Sequence, residues 1–216
     1  MFGEGERGAH FTKRLESFAD IVFGFSLSLL AGRLVVPAHA NDVFTDYSGL
    51  LGFVVTFAAL VGFWFINHRM FRDYFAPEPV DTLMVFVELA GVALLPYALA
   101  VAAKFKFYEP QPLVLYDLVF LAVLGSNVVV GRRGFGRRWR SWSEAERRVN
   151  WRRIVVQSVL CGLFAIGIGI AIAFPHFGWA PYWFILPVSF GLRRLYRGLP
   201  AFARDVPGGL PQVSET

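Results

Sequence analysis

Six apolar runs divide the chain, and short polar segments separate them. The runs cover residues 18–36, 50–66, 82–103, 113–130, 154–174 and 179–195. Each contains about 17 to 22 residues, which is the length that an α-helix needs to cross a hydrocarbon core of about 30 Å. Because a helix satisfies its backbone hydrogen bonds within its own segment, it is the expected structure for such runs in lipid. The pattern therefore predicts an all-α fold with six transmembrane helices.

The basic residues alternate with these runs. Of the 21 lysines and arginines, 18 fall in four segments on one side of the predicted bilayer, nine of them between Arg132 and Arg153. The segments on the other side contain only Arg33, Lys104 and Lys106. Because cytoplasmic loops are enriched in lysine and arginine, we predict a multi-pass protein of the cell membrane with both termini in the cytoplasm.

The composition also argues for a membrane protein. Hydrophobic residues make up 56% of the chain, and the mean hydropathy is +0.50, which leaves too little polar surface for a soluble helical fold. We predict one integral domain at 1–199 and a disordered tail at 200–216. The net charge of +5 comes mainly from the predicted cytoplasmic segments, so anionic lipid headgroups and not nucleic acid are the expected partners.

Motifs of enzymes and metal sites are absent from the sequence. It contains no Ser-His-Asp arrangement, phosphate-binding glycine loop, catalytic carboxylate pair or His-Glu-x-x-His motif. Cys161 is the single cysteine, and His10, His39 and His176 have no partner at metal-ligand spacing. We expect no enzyme activity, no metal and no cofactor.

The first run also has features of a secretory signal peptide. A basic segment precedes the apolar stretch at 21–36, and an Ala-His-Ala sequence at 38–40 is typical of a cleavage site. Against cleavage, Asp20 is acidic where the apolar core of a signal begins, and Arg33 interrupts that core. Cleavage would leave five spans, so this alternative stays open.

Ionisable residues lie at the predicted inner ends of the first two helices. Arg14 and Asp20 begin the first helix, and His68 ends the second. Because unpaired charges near the bilayer are costly, one interpretation is a hydrogen-bonded group that joins the two helices. In the other, Arg14 extends to the interface and Asp20 favours the positive end of its helix. The residues alone leave both interpretations open.

Two motifs in this region resemble those of the transmembrane protein 175 family, potassium channels of endosomes and lysosomes with single-repeat bacterial relatives. The family pattern Arg-x-x-x-Phe-Ser-Asp occurs with alanine in place of serine, and Trp-x-x-Asn-His occurs unaltered. The Leu-Leu-Pro sequence at 94–96 also resembles the family pattern. The residues that match the two motifs are Arg14, Phe18, Asp20, Trp64, Asn67 and His68.

The resemblance implies a potassium-preferring cation channel, with potassium as the permeating species. No Thr-Val-Gly-Tyr-Gly filter is present. In the family, the first helix of each subunit lines the pore, and rings of bulky aliphatic side chains close it by dewetting. One chain cannot surround a pore with copies of its first helix, so a homotetramer is expected. Spacing from the aspartate assigns the constriction to Phe25, Ser28, Leu29 and Gly32.

These four positions share one helical face but depart from the family pattern. Phe25 is bulkier than an aliphatic residue, Ser28 adds a hydroxyl, and Gly32 removes a ring of side chains. The narrowest point is therefore expected at Phe25 or Leu29. Arg33 follows at the outer end, where four copies would repel cations.

Small residues on the same face suggest a second role for it. Gly24, Ser28 and Gly32 recur every four residues, a spacing that allows helices to pack closely in lipid. Lining and packing therefore both stay open for Ser28 and Gly32. A similar stripe on the fifth run, with Ala165 and Gly169, is predicted to pack against another helix.

Two acidic residues lie inside predicted spans. Glu88 lies about 9 Å from the inner start of the third helix, and Asp117 lies about 6 Å from the outer start of the fourth. Asp117 is placed to neutralise Arg33 or Lys104, and Glu88 to join the inner polar group or line a hydrated vestibule. Acids at such depth are candidate functional groups.

The sequence leaves two other functions open. The loss of the aliphatic pore rings and the presence of Arg33 at the pore mouth fit a non-conducting scaffold or a lipid-binding assembly protein. A proton-coupled carrier is the third possibility, with Glu88 or Asp117 as the coupling group.

Overall fold

Five α-helices form the part of the protein that the computed structural model describes, which is residues 4–34, 47–105 and 109–174. The helices are α1 (Glu4–Ala31), α2 (Tyr47–Asp73), α3 (Pro79–Lys104), α4 (Pro110–Arg138) and α5 (Glu144–Ala173). Each of the first five predicted runs lies largely in one of these helices. The helices α2 to α5 are long and apolar enough to cross a membrane.

The prediction of six transmembrane helices is wrong. The described residues form five helices, of which four are candidate spans. Helix α1 does not qualify because Arg14, Glu16 and Asp20 lie within it. Its remaining apolar part, from Ile21 to Ala31, is about 16 Å long, roughly half the thickness of the hydrocarbon core. The sixth predicted run, the tail and the candidate cleavage site lie outside the described residues.

Helices α3 and α4 form the centre of the fold. They pack closely against each other, α5 packs along α4, and α1 packs against α3 and α2. In the most apolar 18-residue segment of α3, 50% of the residues are buried, compared with 22% in the corresponding segments of α2 and α5. A Cβ atom at Gly91 would lie 2.7 Å from Val123 Cγ2, so α3 and α4 approach this closely only because Gly91 has no side chain.

Aromatic contacts connect the outer helices to this centre. The ring of Phe120 on α4 packs edge to face on Phe63 of α2, with centroids 5.3 Å apart. The same ring stacks on Phe164 of α5 at 4.9 Å. The hydroxyls of Thr56 and Tyr116 lie 3.0 Å apart in the interior, so each satisfies the other where water is excluded.

A buried carboxylate holds the arginine-rich end of α4 against the turn between α2 and α3. The side chain of Asp81 is fully buried, and Arg133 Nε donates to its Oδ1 at 2.7 Å. Arg137 donates to the other oxygen of Asp81, and Arg133 also pairs with Glu78 at 2.7 Å. A charge so deeply buried requires such partners, because an unpaired carboxylate would cost several kcal/mol.

Tyr74 brings the same end of α4 together with α5. Its carbonyl accepts a hydrogen bond from Arg137 Nη2 at 2.8 Å, and its hydroxyl donates to Asn150 Oδ1 at 2.9 Å. Burial raises the pKa of Tyr74 to about 12, so the hydroxyl remains a donor at neutral pH. Gly134 allows this contact because it has no side chain. A Cβ atom there would lie 2.4 Å from the carbonyl oxygen of Tyr74.

Substitution of Gly134 tests whether this close approach stabilises the fold. We expect Gly134→Ala to destabilise the protein by about 1–3 kcal/mol, because the added methyl group overlaps the backbone at Tyr74. The control is Gly136→Ala in the same helix, where a Cβ atom meets nothing within 4 Å. It should be neutral or stabilising, since alanine favours helix over glycine. Thermal unfolding in detergent measures both, and equal midpoints would contradict the packing described.

Candidate pore helix and its attachment

Helix α1 has one packed face and one exposed face. On the packed face, Phe23 is 2% exposed, whereas Phe25, two residues later on the other face, is 63% exposed. The packed face consists of Leu15, Ala19, Phe23, Ser26 and Leu30. The exposed face consists of Phe18, Ile21, Phe25, Ser28, Leu29 and Gly32.

All four predicted constriction residues lie on the exposed face of the protomer. Leu29 is 40% exposed, and Ser28 and Gly32 are exposed beside it. The Ser28 hydroxyl donates to the Gly24 carbonyl at 3.1 Å, and a Cβ atom at Gly24 would meet nothing within 4 Å. The small-residue stripe therefore does not pack against another described helix of the same chain.

Two acidic residues of α1 bind two ring side chains of α2. Trp64 Nε1 donates to Asp20 Oδ1 at 2.8 Å, and His68 Nδ1 lies 3.1 Å from Glu16 Oε1. The rings of Trp64 and His68 are stacked with centroids 6.1 Å apart. Both pairs of residues are spaced by four positions, so each pair lies on one side of its helix. These contacts fix α1 relative to α2.

The pairing differs from the group expected from the sequence. The partner of His68 is Glu16, and Arg14 is exposed on the same face as Phe18, away from Asp20. The matched spacing of Glu16 with Asp20 and of Trp64 with His68 was the sequence signal for this arrangement. The ring of Phe18 lies 6.3 Å from that of Phe86 on α3.

A buried polar cluster lies behind the α1–α2 contact. Glu88 of α3, Asn67 of α2 and Asn127 of α4 are 1–2% exposed. Asn67 and Asn127 are the polar neighbours of the Glu88 carboxyl, and Asn127 Nδ2 donates to the Val123 carbonyl at 3.0 Å. Three atoms of this cluster are buried without a hydrogen-bond partner among the described residues: Asn67 Nδ2, Glu88 Oε1 and Asn127 Oδ1. They comprise one donor and two acceptors.

Sequence reasoning selected Glu88 and Asn67 but missed Asn127. A lone amide inside an apolar run was the available signal, because a buried amide requires a polar partner. The other intramembrane acid, Asp117, is 2% exposed on α4. Within the described residues, no group of three or more His, Cys, Asp or Glu side chains has the arrangement of a metal site.

Known proteins are similar to this chain in the helices that carry these contacts. The profile of the endosomal/lysosomal potassium channel TMEM175 matches residues 14–96, from the start of the α1 motif to the proline within α3. This match covers less than half of the chain and lies in α1, α2 and α3, which resemble the TMEM175 family. The described part of the chain has four candidate spans, so the chain is a multi-pass membrane protein, and the matched family is one of potassium channels and not of enzymes.

Two curated relatives are named potassium channels. A potassium channel of Chamaesiphon minutus is 26% identical over 147 residues, which are 63% of this chain and 68% of that protein. A potassium channel of Marivirga tractuosa is 24% identical over 92 residues, 43% of this chain and 37% of the relative.

Solved structures share the fold. A TMEM175 homologue from Chamaesiphon minutus, described as a lysosomal potassium-selective channel homologue, superposes with a TM-score of 0.66 at 19% identity. The comparison covers 85% of this chain and 98% of that one. The T38A variant of the potassium channel MtTMEM175 gives a TM-score of 0.65 at 17% identity, covering 85% and 93%.

Substitution of Glu88 tests the buried polar cluster. We expect Glu88→Gln to keep or raise stability, because its amide can donate to Asn127 Oδ1 while its oxygen accepts from Asn67 Nδ2. Glu88→Ala should cost about 2–4 kcal/mol, since it leaves a cavity and polar atoms without partners. Thermal midpoints in detergent measure both. Equal losses in the two variants would show that hydrogen bonding in the cluster does not matter.

A second pair of variants tests the attachment of α1. Asp20→Ala removes the acceptor of Trp64 and should destabilise the protein by about 1 kcal/mol. Asp20→Asn keeps an oxygen in the same place and should retain most of that stability. The same thermal assay applies, and a loss in Asp20→Asn as large as in Asp20→Ala would mean that charge, not the hydrogen bond, holds α1.

Proposed function

We propose that this protein is a potassium channel of the cell membrane, with its pore lined by α1 of each subunit. The exposed face of α1 carries the proposal. It places Phe25, Ser28 and Leu29 on an open surface while the opposite face is packed into the protomer. The curated relatives, which are named potassium channels, support potassium as the permeating ion.

A homotetramer would give the exposed face its function. Between Ile21 and Gly32 the exposed face is apolar apart from Ser28, and one helix cannot enclose a path for ions. Copies of α1 around a common axis would cover this surface and form the wall of the pore. This arrangement explains why Phe25 remains 63% exposed in a single chain, although α1 is packed along its other side.

Phe25 and Leu29 would form the constriction. Rings of large apolar side chains close a pore by dewetting, because an ion would lose hydration water there and gain no oxygen ligand. Ser28, between them on the same face, would supply four hydroxyl groups. Gly32 would widen the path towards the outer end, where Arg33 is exposed.

The contacts between α1 and α2 would set the pore diameter. Asp20 and Glu16 bind α2 on one side of α1, one and two turns before Phe25. A shift of Trp64 or His68 would therefore be transmitted along α1 to the constriction. Asn67 lies between them, so the Glu88 cluster would support the same segment of α2 from behind.

The arginine-rich connection between α4 and α5 would face the cytoplasm. Nine arginines between Arg132 and Arg153 favour that side by the positive-inside rule and attract anionic headgroups there. Lipid would thus be a partner of the channel at its inner surface.

Potassium flux into proteoliposomes tests the constriction. We expect Phe25→Ala and Leu29→Ala to raise flux about tenfold, equivalent to lowering the barrier by about 1.4 kcal/mol, because each removes an apolar ring. Matched controls are Phe57→Ala and Leu118→Ala, which shorten exposed apolar side chains of α2 and α4. The controls should retain wild-type flux.

Two results would count against this proposal. Unchanged flux in both α1 variants would remove Phe25 and Leu29 from the permeation path. Saturable, proton-dependent uptake by the unmodified protein would indicate a carrier and not a channel.

Cross-linking tests the position of α1 in the assembly. In a Cys161→Ser background, Phe25→Cys should form disulfide-linked dimers on mild oxidation, because α1 helices of neighbouring subunits approach the axis. Leu118→Cys, exposed on α4, is the control and should remain monomeric on a denaturing gel. Cross-linking at Leu118 but not at Phe25 would place another helix at the subunit contact.

A further inference from the structure

A cleft opens where α4 ends and α5 begins, far along the chain from the proposed pore helix. Its volume is about 520 Å³. Side chains from both helices line it: Phe135, Trp139, Glu144, Arg147, Arg148 and Trp151. None of these residues belongs to the pore face or to the contacts that hold α1.

Aromatic rings form the wall of the cleft. The ring of Phe135 lies 5.2 Å from Trp139 and 5.4 Å from Trp151, measured between centroids. Phe135 is largely buried, whereas Trp139 and Trp151 are 47% and 50% exposed. Tryptophan is enriched where a membrane meets water, because its ring is apolar and its N–H is polar. Two half-exposed tryptophans therefore suit the headgroup level.

Positive charge lies above this wall. The guanidinium carbon of Arg147 is 4.9 Å from the centre of the Trp139 ring, a cation–π contact that fixes its position. Its Nε atom is buried and has no hydrogen-bond partner among the described residues. Arg148 pairs with Glu144, which offsets one of the two charges in the cleft, and Arg140 is exposed nearby. An anion in the cleft would pair with the charge of the Arg147 guanidinium.

The backbone beside the cleft is well fixed. Ser143 caps α5 by accepting from the Glu146 backbone N–H, and the Glu146 carboxylate accepts from the Ser143 backbone N–H at 2.8 Å. This reciprocal pair sets the direction in which α5 leaves the turn. Arg147 and Trp151, one turn apart, are thereby presented on the same side of the helix.

An exposed apolar track continues from the cleft along α5. Val159 and Ile166 are 37% and 57% exposed on the face that carries Trp151, and a Cβ atom at Gly162 would meet nothing within 4 Å. The stripe with Ala165 and Gly169, predicted to pack against another helix, is exposed on this face. From Trp151 to Ile166 the track is about 22 Å long, enough for an acyl chain in one leaflet.

We propose that this cleft binds an anionic phospholipid, with its phosphate on Arg147 and an acyl chain along the α5 track from Trp151 to Ile166. Two arginines and one glutamate line the cleft and give it a net positive charge, so an anionic headgroup is favoured over a zwitterionic one. A soluble phosphate would use the arginine but not the aromatic wall or the track. The proposal rests on the cytoplasmic position of the α4–α5 connection proposed above, not on potassium conduction.

Native mass spectrometry of the detergent-solubilised protein tests the site. The probes are phosphatidylglycerol and phosphatidylcholine with the same acyl chains, added at equal concentrations. We expect the wild type to retain phosphatidylglycerol preferentially and Arg147→Ala to reduce that preference about fivefold, the effect of one arginine near an anionic surface. Trp151→Ala should weaken retention of both lipids, because it removes contact with the acyl chain.

Arg33→Ala is the matched control, since it removes the same charge from an exposed residue at the far end of α1. It should leave the preference unchanged. An equal preference for phosphatidylglycerol in Arg147→Ala and Arg33→Ala would overturn the proposal. A neighbouring subunit that closes the cleft would also overturn it, and lipid retention would then be equal in all variants. Displacement of phosphatidylglycerol by equimolar glycerol phosphate would also overturn it and indicate a plain anion site.

Potassium flux by the same variants separates this proposal from the proposed function. Arg147→Ala should conduct like the wild type in vesicles, because it is remote from α1. Lost lipid preference with normal flux would support the lipid site alone. Normal lipid preference in a protein without flux would refute conduction and leave the lipid site intact.

Discussion

The unequal packing of α1 is the constraint on which the rest of the structure depends. Its packed face holds Ala19 and Phe23 against α2 and α3, and hydrogen bonding between Asp20 and Trp64 fixes its direction. A helix held in this way cannot rotate to bury Phe25 within its own chain. The exposed apolar face must then be covered by lipid or by copies of itself, and the second solution encloses a pore.

The core of the protein combines close packing with buried polar atoms that lack hydrogen-bond partners. Gly91 allows α3 and α4 to meet closely, yet Glu88, Asn67 and Asn127 bring three unpaired atoms into that same interior. Natural cores pair nearly all buried polar groups, so this cluster departs from the usual pattern. It lies beside the α2 residues that bind α1, where small changes in hydrogen bonding would reach α1.

Hydropathy was enough to locate the helices but not to count the spans. The runs beginning at Leu50, Thr82 and Leu113 correspond to α2, α3 and α4, because apolar length alone decides such helices. Helix α1 was wrongly counted as a span, because acidic and basic residues recur in it from Glu4 to Asp20. The partner of His68 also could not be chosen, because Glu16 and Asp20 are one turn apart and both are in reach of α2. Only the three-dimensional packing distinguishes them.

The arginines at the α4–α5 connection serve two purposes. Arg133 and Arg137 are committed to the buried Asp81, so their charge is used inside the protein and stabilises the α2–α3 turn. Arg147 packs over the half-exposed ring of Trp139, and its buried Nε has no hydrogen-bond partner among the described residues. Loop charge alone therefore does not predict lipid affinity. What matters is which arginines remain after the protein has paired its own carboxylates, and here those arginines flank an aromatic cleft that continues into an apolar track.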